Sequence, residues 1–389
     1  MRILFVASRS AWPPIDGGRL LMAQTIAGLI ARAHEVTFVA PAGGPVGGEP
    51  VGTPASDGLR VRIVPGRRPP RTLSFLLSLV QGQPWSVMSQ ATPPTRVEIA
   101  RLLAADRFDV VHVEQLQALP KAEAAFHRRV PVVLRAENVE SDLWQTFSGV
   151  KPFARPVAVF EARRLAAFEA RALTRVTRTA ALTEPDARRL RQLAPEAHVD
   201  VVPVPMPADL PLADRRLAGD PPLVLISSAW YPNREGIRWF VDTIWPVVRD
   251  ALPGARLHLF TAAVVGAARG GIERHGALAD SRDAFAPGAI LAVPLRIASG
   301  ARVRILEAWA RGVPVVATRA AVAGLEVEDG VGVRLADTAA QFVQALQDLH
   351  RSPDVAARQV ADGRRILAAR HDPAVCAERL EAVYRRAIG

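Results

Sequence analysis

The sequence predicts an α/β fold of two doubly wound, Rossmann-like domains facing each other across a cleft, and three observations carry that prediction. The chain, at 389 residues, is too long for one ordinary core. Val/Ile/Leu-rich strand runs alternate with helix-length amphipathic segments through both halves, the pattern of parallel sheets covered by helices. A proline-rich break separates the two series.

In chain order the first strands are RILFVAS, HEVTFVAP, LRVRIVP, FDVVHV and PVVLRAE, then, after a long helical region, TRTAALT and VDVVPVP. Lacking strict alternation, they are expected to be buried on both faces. Residues 203 to 222, PVPMPADLPLADRRLAGDPP, hold six prolines and no helical or strand period, and read as an interdomain connection. The second series is PLVLISS, ARLHLFT, a weaker GGIERHG, AILAVP and VPVVAT. The expected divisions are 1–204 for the first domain, 205–220 for the linker, 221–370 for the second domain and 371–389 for a terminal helix. Val375, Leu380, Val383 and Ile388 give that helix an apolar face, which either caps its own domain or crosses back to the first.

Composition narrows the function classes. A hydrophobic fraction of 49% suits packed cores and not disorder. The opening apolar run is about six residues, too short for a signal-peptide core, and no stretch approaches the ~18 apolar residues of a membrane span. The single Cys376 excludes a disulfide framework. A cytoplasmic protein, soluble or peripheral at the inner face of the membrane, is expected. The net charge of +11 is almost all arginine, with lysine only at 121 and 151. Its basic runs are scattered and lack interleaved aromatics, so no nucleic-acid partner is expected; nucleotide diphosphates or anionic headgroups fit the charge.

Ligands of doubly wound sheets bind beyond the carboxyl ends of the strands. Two loops there carry chemistry. After the first strand, AWPPIDGG places Gly17 and Gly18 where a helix begins, read either as backbone N–H groups left open to an anion or as a plain loop-to-helix turn, and G-x-G-x-x-G is absent. In SGARVRILEAWARGVPVVAT, Ser299, Gly300 and Ala301 precede a second helix start, with Arg302 and Arg304 adding charge suited to a diphosphate. Glu307 lies between Leu306 and Ala308 in the same helix, and a buried carboxylate needs donors. Two readings stand equally: the hydroxyls of a ribose, or an internal salt bridge to Arg304 or Arg311.

The longer stretch VPLRIASGARVRILEAWARGVPVVATRAAVAGLEVEDG resembles the signature region of family 4 glycosyltransferases, retaining nucleotide-sugar enzymes of the GT-B fold. In that family two glutamates flank seven residues; the second binds the nucleoside ribose and the first lies by the donor sugar. Glu307 takes the second place. Ser299 stands in the first, able to hydrogen-bond a sugar hydroxyl but without charge. WYPNREGIRWFVDTIWPVVRDALPGARLHLF resembles the start of the donor domain in the branch where Pro-Asn, here Pro232-Asn233, replaces an arginine–lysine pair that grips the diphosphate. That charge then falls to Arg302, Arg304 or Arg234. HGALADSRDAFAPGAILAVPLR resembles the segment that places the base. AWPPIDGG, FDVVHVEQLQALP and VVLRAENVESDLW resemble the site loops of the first domain, with Glu137-Asn138 where the family often has His-Asn.

The resemblance implies metal-independent, retaining transfer of a sugar from a nucleotide-sugar donor to a glycan, lipid-linked or secondary-metabolite acceptor. It implies donor contacts at Gly17, Gly18, Asn138, Asn233, Arg234 and the 299–307 segment. Glu137 is then a sugar contact or acceptor base, or else it pairs with an arginine such as Arg135. His112 is either a satisfied core histidine or an imidazole beside the reaction. No His/Cys/Asp cluster shows ligand spacing and the DSRD at 280 to 283 is a poor Asp-x-Asp, so neither a metal nor another cofactor is expected. The same fold also hosts sugar-nucleotide epimerases and hydrolases, and a non-catalytic nucleotide-sugar-binding subunit is the reading from outside enzymology. GRRPPRTLSFLLSLVQGQPW joins an Arg-rich turn to an apolar helix and FEARRLAAFEARALTRV is a basic helix with Leu165, Phe168 and Leu173 on one side, read either as contacts with anionic membrane or as core-facing helices with a solvated basic face. Glu307→Ala is expected to weaken nucleotide binding with the fold intact.

Overall fold

The structure, a computed structural model, describes all residues except 15, 43–55, 67, 151–154, 228–230, 262–269, 277, 279 and 297–301, together with the side chains of 147–150 and 231–233. Ser299, Gly300 and Ala301 therefore lie outside the described residues, as does the side chain of Asn233.

The first sheet has seven strands: β1 (Arg2–Val6), β2 (Glu35–Pro41), β3 (Leu59–Val64), β4 (Val110–Glu114), β5 (Val132–Ala136), β6 (Arg178–Ala181) and β7 (Val199–Val201). The second has six: β8 (Pro222–Ile226), β9 (Arg256–Phe260), β10 (Ile272–Arg274), β11 (Ile290–Val293), β12 (Val315–Ala317) and β13 (Arg334–Leu335). Their spatial orders are β3-β2-β1-β4-β5-β6-β7 and β10-β9-β8-β11-β12-β13, and the recorded pairings are parallel. The chain reverses direction of travel beside β1 in one sheet and beside β8 in the other. Those switch points open a crevice at the carboxyl ends. All twelve expected strands form. β13, two residues long, escaped the sequence reading because so short a run carries no period.

Strands β4 and β5 are buried along their whole length, which is why their sequences do not alternate. The proline-rich connection is fastened to the second domain: Met206 N–H donates to the His371 carbonyl (2.8 Å), Leu210 to Ala310 (3.0 Å) and Ala213 to Phe285 (2.8 Å). Val204, Met206 and Ala213 are buried in the core around Trp309.

The terminal helix Pro373–Ile388 starts on an Asp372 cap, whose Oδ1 accepts from the Ala374 and Val375 N–H groups. It crosses back: Leu380, Val383, Tyr384 and Ala387 are buried with Phe5 and Phe38 in the core of the first sheet. The buried face is not quite the one expected, because Val375 and Ile388 are 37% and 44% exposed, while Cys376 and Tyr384 are inside.

Candidate active site

A cleft of about 1230 Å³ lies between the two domains at the carboxyl ends of both sheets. Ser8, Arg9, Gly17, Gly18, Arg68, Gln115, Glu137, Asn138 and Glu140 line it from the first domain, and Ser227, Phe260, Leu278 and Arg302 to Ile305 from the second.

The glycine loop opens the helix Gly17–Ala31 at the edge of the cleft, with both glycines among the lining residues. Asp16 caps the helix Gly17–Ala31, its Oδ1 accepting from Arg19 N–H (3.0 Å), while its Oδ2 takes the Arg9 guanidinium (3.1 Å). Asp16 thus takes one N–H of the first turn, that of Arg19. The glycines also provide clearance. A Cβ at Gly17 would stand 3.0 Å from Val303 Cβ, at the first residue of the helix Val303–Ala310 in the second domain; one at Gly18 would stand 2.3 Å from Arg9 Nη2 and 3.5 Å from Glu137 Oε2.

Behind that loop three carboxyls gather. Glu114, the last residue of β4, is fully buried; Glu137 follows β5, and Glu140 opens the next helix. Parallel pairing of β4 with β5 brings them together, and Gln115 Nε2 donates to Glu137 Oε2 at 2.8 Å. The Glu114 and Glu137 carboxyls lie within hydrogen-bonding reach of each other, a contact that requires a proton between them. Burial pushes both up to about 7, against the downward pull of Arg135 and Arg9. Burial, and then the neighbouring Glu169, push Glu140 up to about 8; Asn138 hydrogen-bonds its side chain.

His112 does not reach the cleft. Its ring is buried against Phe5 (centroids 4.2 Å), Nε2 meets Glu114 Oε2 at 3.0 Å and Nδ1 meets the Tyr384 hydroxyl at 2.7 Å. Burial, then the field of Arg135, holds its pKa well below the usual imidazole range. A neutral ring with Nε2–H donating to Glu114 and Nδ1 accepting from Tyr384 satisfies every partner. Of the two readings of His112 the core histidine is the one realised, because the side chain leaves β4 on the side covered by the terminal helix. Arg135 is buried too, donating to Thr25 Oγ1 (2.7 Å) and to the Pro203 carbonyl (3.4 Å).

On the opposite wall Arg302 is deep in the cleft, and its Nε and Nη2 meet no hydrogen-bond partner among the described residues. Burial lowers its pKa to about 10 although the Asp186 carboxylate raises it. Arg304 also lines the cleft and gives Nη1 to Glu307 Oε2 at 2.6 Å. Glu307 is fully buried, and its Oε1 accepts from Ser281 Oγ (2.5 Å) and from Arg311 Nε (3.2 Å) and Nη2 (3.1 Å). The internal salt bridge is thus the arrangement present, and the carboxylate stands behind the cleft wall. Ser281 belongs to DSRD, whose Asp280 caps its own short turn. That tetrapeptide supports Glu307. Arg234 is exposed on the helix Tyr231–Trp239 and is not among the cleft-lining residues.

Sequence reasoning missed Arg9, Arg68, Glu114 and Glu140. Arg9 lies in the loop after β1 and Glu114 ends β4, the strand ends at which such sheets bind ligands. Arg68 is anchored through Nη2 to the Ser8 carbonyl at 2.9 Å, a pairing across 60 residues that local pattern does not reveal.

Residues 17–205 match the family described as glycosyl transferase 4-like domain, and residues 221–352 match the family described as glycosyl transferases group 1. Among solved structures, sucrose-phosphate synthase from Thermosynechococcus elongatus is 15% identical over 99% of this chain and 98% of that one, with a TM-score of 0.73. Anabaena HepE, in complex with UDP and glucose, is 15% identical over 99% of both chains, with a TM-score of 0.66. WaaG, a glycosyltransferase involved in lipopolysaccharide biosynthesis, is 14% identical over 99% of both, with a TM-score of 0.60. At such identities the likeness is one of fold, GT-B. No curated protein matches the sequence.

Proposed function

The chain belongs to the group 1 glycosyltransferases, and from that premise we propose that it moves a sugar from a nucleotide-sugar donor, held against the second domain, to an acceptor hydroxyl presented by the first. The observation that carries this reading is Arg302. A desolvated guanidinium in a cleft, with two nitrogens that meet no partner among the described residues, is costly by itself, and a diphosphate offers the matching charge and acceptors. An arginine placed there stabilises the leaving diphosphate directly, so the transfer is proposed to need no metal and, as the family resemblance implies, to retain anomeric configuration. A uridine donor is the first to test, because the HepE structures hold UDP and UDP-glucose.

The remaining roles follow from position. Glu137, in contact with Glu114, is the proposed base for the acceptor hydroxyl, taking its proton as the new glycosidic bond forms and the sugar–diphosphate bond breaks. Asn138 holds Glu140 beside it. Ser299, with Gly300 and Ala301, is proposed as a sugar and phosphate contact, Asn233 and Arg234 as outer donor contacts. Glu307 is proposed as the ribose ligand on one condition: Arg304 must leave Oε2 and turn to the diphosphate, which exchanges an internal partner for the nucleotide.

The acceptor, whether glycan, lipid-linked or small molecule, is proposed to enter from the first domain, and contact with an anionic membrane is supported by the helix Arg71–Val80. Its buried residues are Ser74 and Ser78, while Leu73, Leu76, Leu79 and Val80 are exposed. Among the described residues no helix is long and apolar enough to cross a membrane, so any such contact is at the surface.

Titration calorimetry with UDP-, GDP- and TDP-glucose, followed by mass detection of acceptor-dependent product, tests the reading. One nucleotide should bind saturably, and Arg302→Gln should weaken it on the order of tenfold or more. Absence of binding by the whole panel overturns it; donor isomerisation or binding without turnover points to the other readings.

A further inference from the structure

We propose that His258, Glu273 and His275 form a binding site for a divalent first-row transition-metal ion such as Zn²⁺, at the free edge of the second sheet. The three ligand atoms lie within 4.8 Å of one another. Spacing along the chain does not show the set, because the fold assembles it. Parallel pairing sets Glu273 of the edge strand β10 against His258 of β9, and a two-residue step carries His275 to the same side as Glu273. The His275 N–H donates to the Leu259 carbonyl (3.0 Å), which continues the register past the end of β10.

The distances suit a metal. His258 Nδ1 is 2.9 Å from His275 Nε2 and 3.5 Å from Glu273 Oε2. A tetrahedral ion with bonds of about 2.0–2.1 Å keeps its ligand atoms roughly 3.3 Å apart, between those two values. Adjustments of a few tenths of an ångström therefore bring all three into place. His258 is oriented for this by its other nitrogen, since Nε2 meets the Ala218 carbonyl at 2.8 Å. That N–H donor leaves the Nδ1 lone pair facing the cluster, the arrangement by which outer partners fix a ligating imidazole. The single N–H···N bond between the two rings then gives way to two metal–nitrogen bonds, with the hydrogen on His275 Nδ1. Glu273 has a side chain 42% exposed, so the fourth position of a bound ion would be open to water. Imidazole and carboxylate ligands favour Zn²⁺, Co²⁺ or Ni²⁺ over Mg²⁺.

The site is separate from the proposed diphosphate contact. Phe260, which lines the cleft, stacks on His275 with centroids 4.3 Å apart, so the ion would lie behind the cleft wall. It would pin edge strand β10 to β9 and fix the start of the loop that leads to Leu278 and Ser281. Its role is to hold one wall of the cleft, not to take part in transfer.

The test uses untagged protein stripped with EDTA, titrated with Zn²⁺ by calorimetry and with Co²⁺ by visible absorption. One equivalent of Zn²⁺ is expected, with Co²⁺ bands of a low-coordinate site and a rise in melting temperature on adding metal. His275→Asn and Glu273→Gln, both at the sheet edge, should each weaken Zn²⁺ on the order of tenfold or more. Cys376→Ser should leave the affinity unchanged. Absence of saturable binding by the parent protein, or binding equally tight in the His275→Asn/Glu273→Gln double variant, overturns the site. Nucleotide binding measured in EDTA is independent of either result.

Discussion

Glu307 is held by more partners than a ligand contact requires. Besides Arg304 and Ser281 it fixes Arg311, which is itself nearly buried, donates to the Pro211 carbonyl and lies over the Phe285 ring (5.3 Å). Removing the carboxylate leaves Arg311 in a dry site without its counter-charge. The expectation that Glu307→Ala keeps the fold intact is therefore revised: the variant should lose about 3–5 kcal/mol of stability, seen as a clear fall in melting temperature. Glu307→Gln keeps an acceptor for Ser281 and should unfold at a higher temperature than Glu307→Ala, so the ribose contact is better measured on the glutamine variant. An alanine variant as stable as the parent would show the salt bridge to be dispensable. The Glu114–Glu137 pair permits a second prediction. Both carboxyls titrate near 7 in the folded chain, whereas an unfolded chain releases such protons near its ordinary glutamate value. Between those limits the native state binds more protons, so the pair's contribution to stability is complete below the lower limit and is lost as pH rises through about 7. The slope for one proton is about 1.4 kcal/mol per pH unit, and the two carboxyls share their titration steps. Glu114→Gln should flatten it, as read from urea melts between pH 5 and 8; an unchanged slope would place the titration elsewhere. Turnover that depends on Glu137 as a base should rise through the same pH range.

The helix Arg71–Val80 shows at the level of an element where pattern reading stops. Its leucines recur on one face, so a helix with an apolar stripe is legible. What that stripe faces is not. Ser74 Oγ donates to the Arg71 carbonyl (2.8 Å) and accepts from Trp85 Nε1 (2.9 Å), while Arg164 donates to the carbonyls of Ser78 and Gln83. This polar network draws the serines inward, and Leu76 and Val80 are left 59% and 84% exposed. Its hydrogen-bonded partners are up to 86 residues apart in sequence and meet only in the fold. The glycine loop gives the same lesson, since the close neighbour of Gly17 is Val303 of the other domain. Replacing Leu73, Leu76 and Leu79 by serine should leave folding nearly unchanged, each substitution within about 0.5 kcal/mol. Sedimentation with anionic vesicles should fall sharply in the same variant. Retained vesicle binding would assign the attraction to arginines alone.

Across the whole molecule the strands were legible because Val/Ile/Leu runs buried on both faces have a local signature. The docking of the last helix was not legible, because its partners are as much as 349 residues away: Tyr384 closes on His112, and Glu381 meets Arg32 and His34 (3.4 Å). The same distance hid the state of the site, since His112, Glu114 and Glu137 form one buried chain whose far end is a hydroxyl from the C-terminal segment. That segment follows the second domain and completes the core of the first, so the two domains should not melt independently of it. Ending the chain after His371 would uncover the packing surface of Leu380, Val383 and Tyr384 and remove the His112 partner. Calorimetry should then show the first domain's transition lost or strongly lowered, with the second domain's transition retained. Tyr384→Phe isolates the hydroxyl. It leaves the apolar packing in place but strips His112 Nδ1 of its donor, for a loss of about 1–3 kcal/mol. If the phenylalanine variant melts with the parent while the truncated chain does not, packing alone ties the helix to the first domain. If both fall, the polar chain from Tyr384 to the cleft is part of what holds Glu137 in place, and the phenylalanine variant should then also shift the pH at which turnover rises.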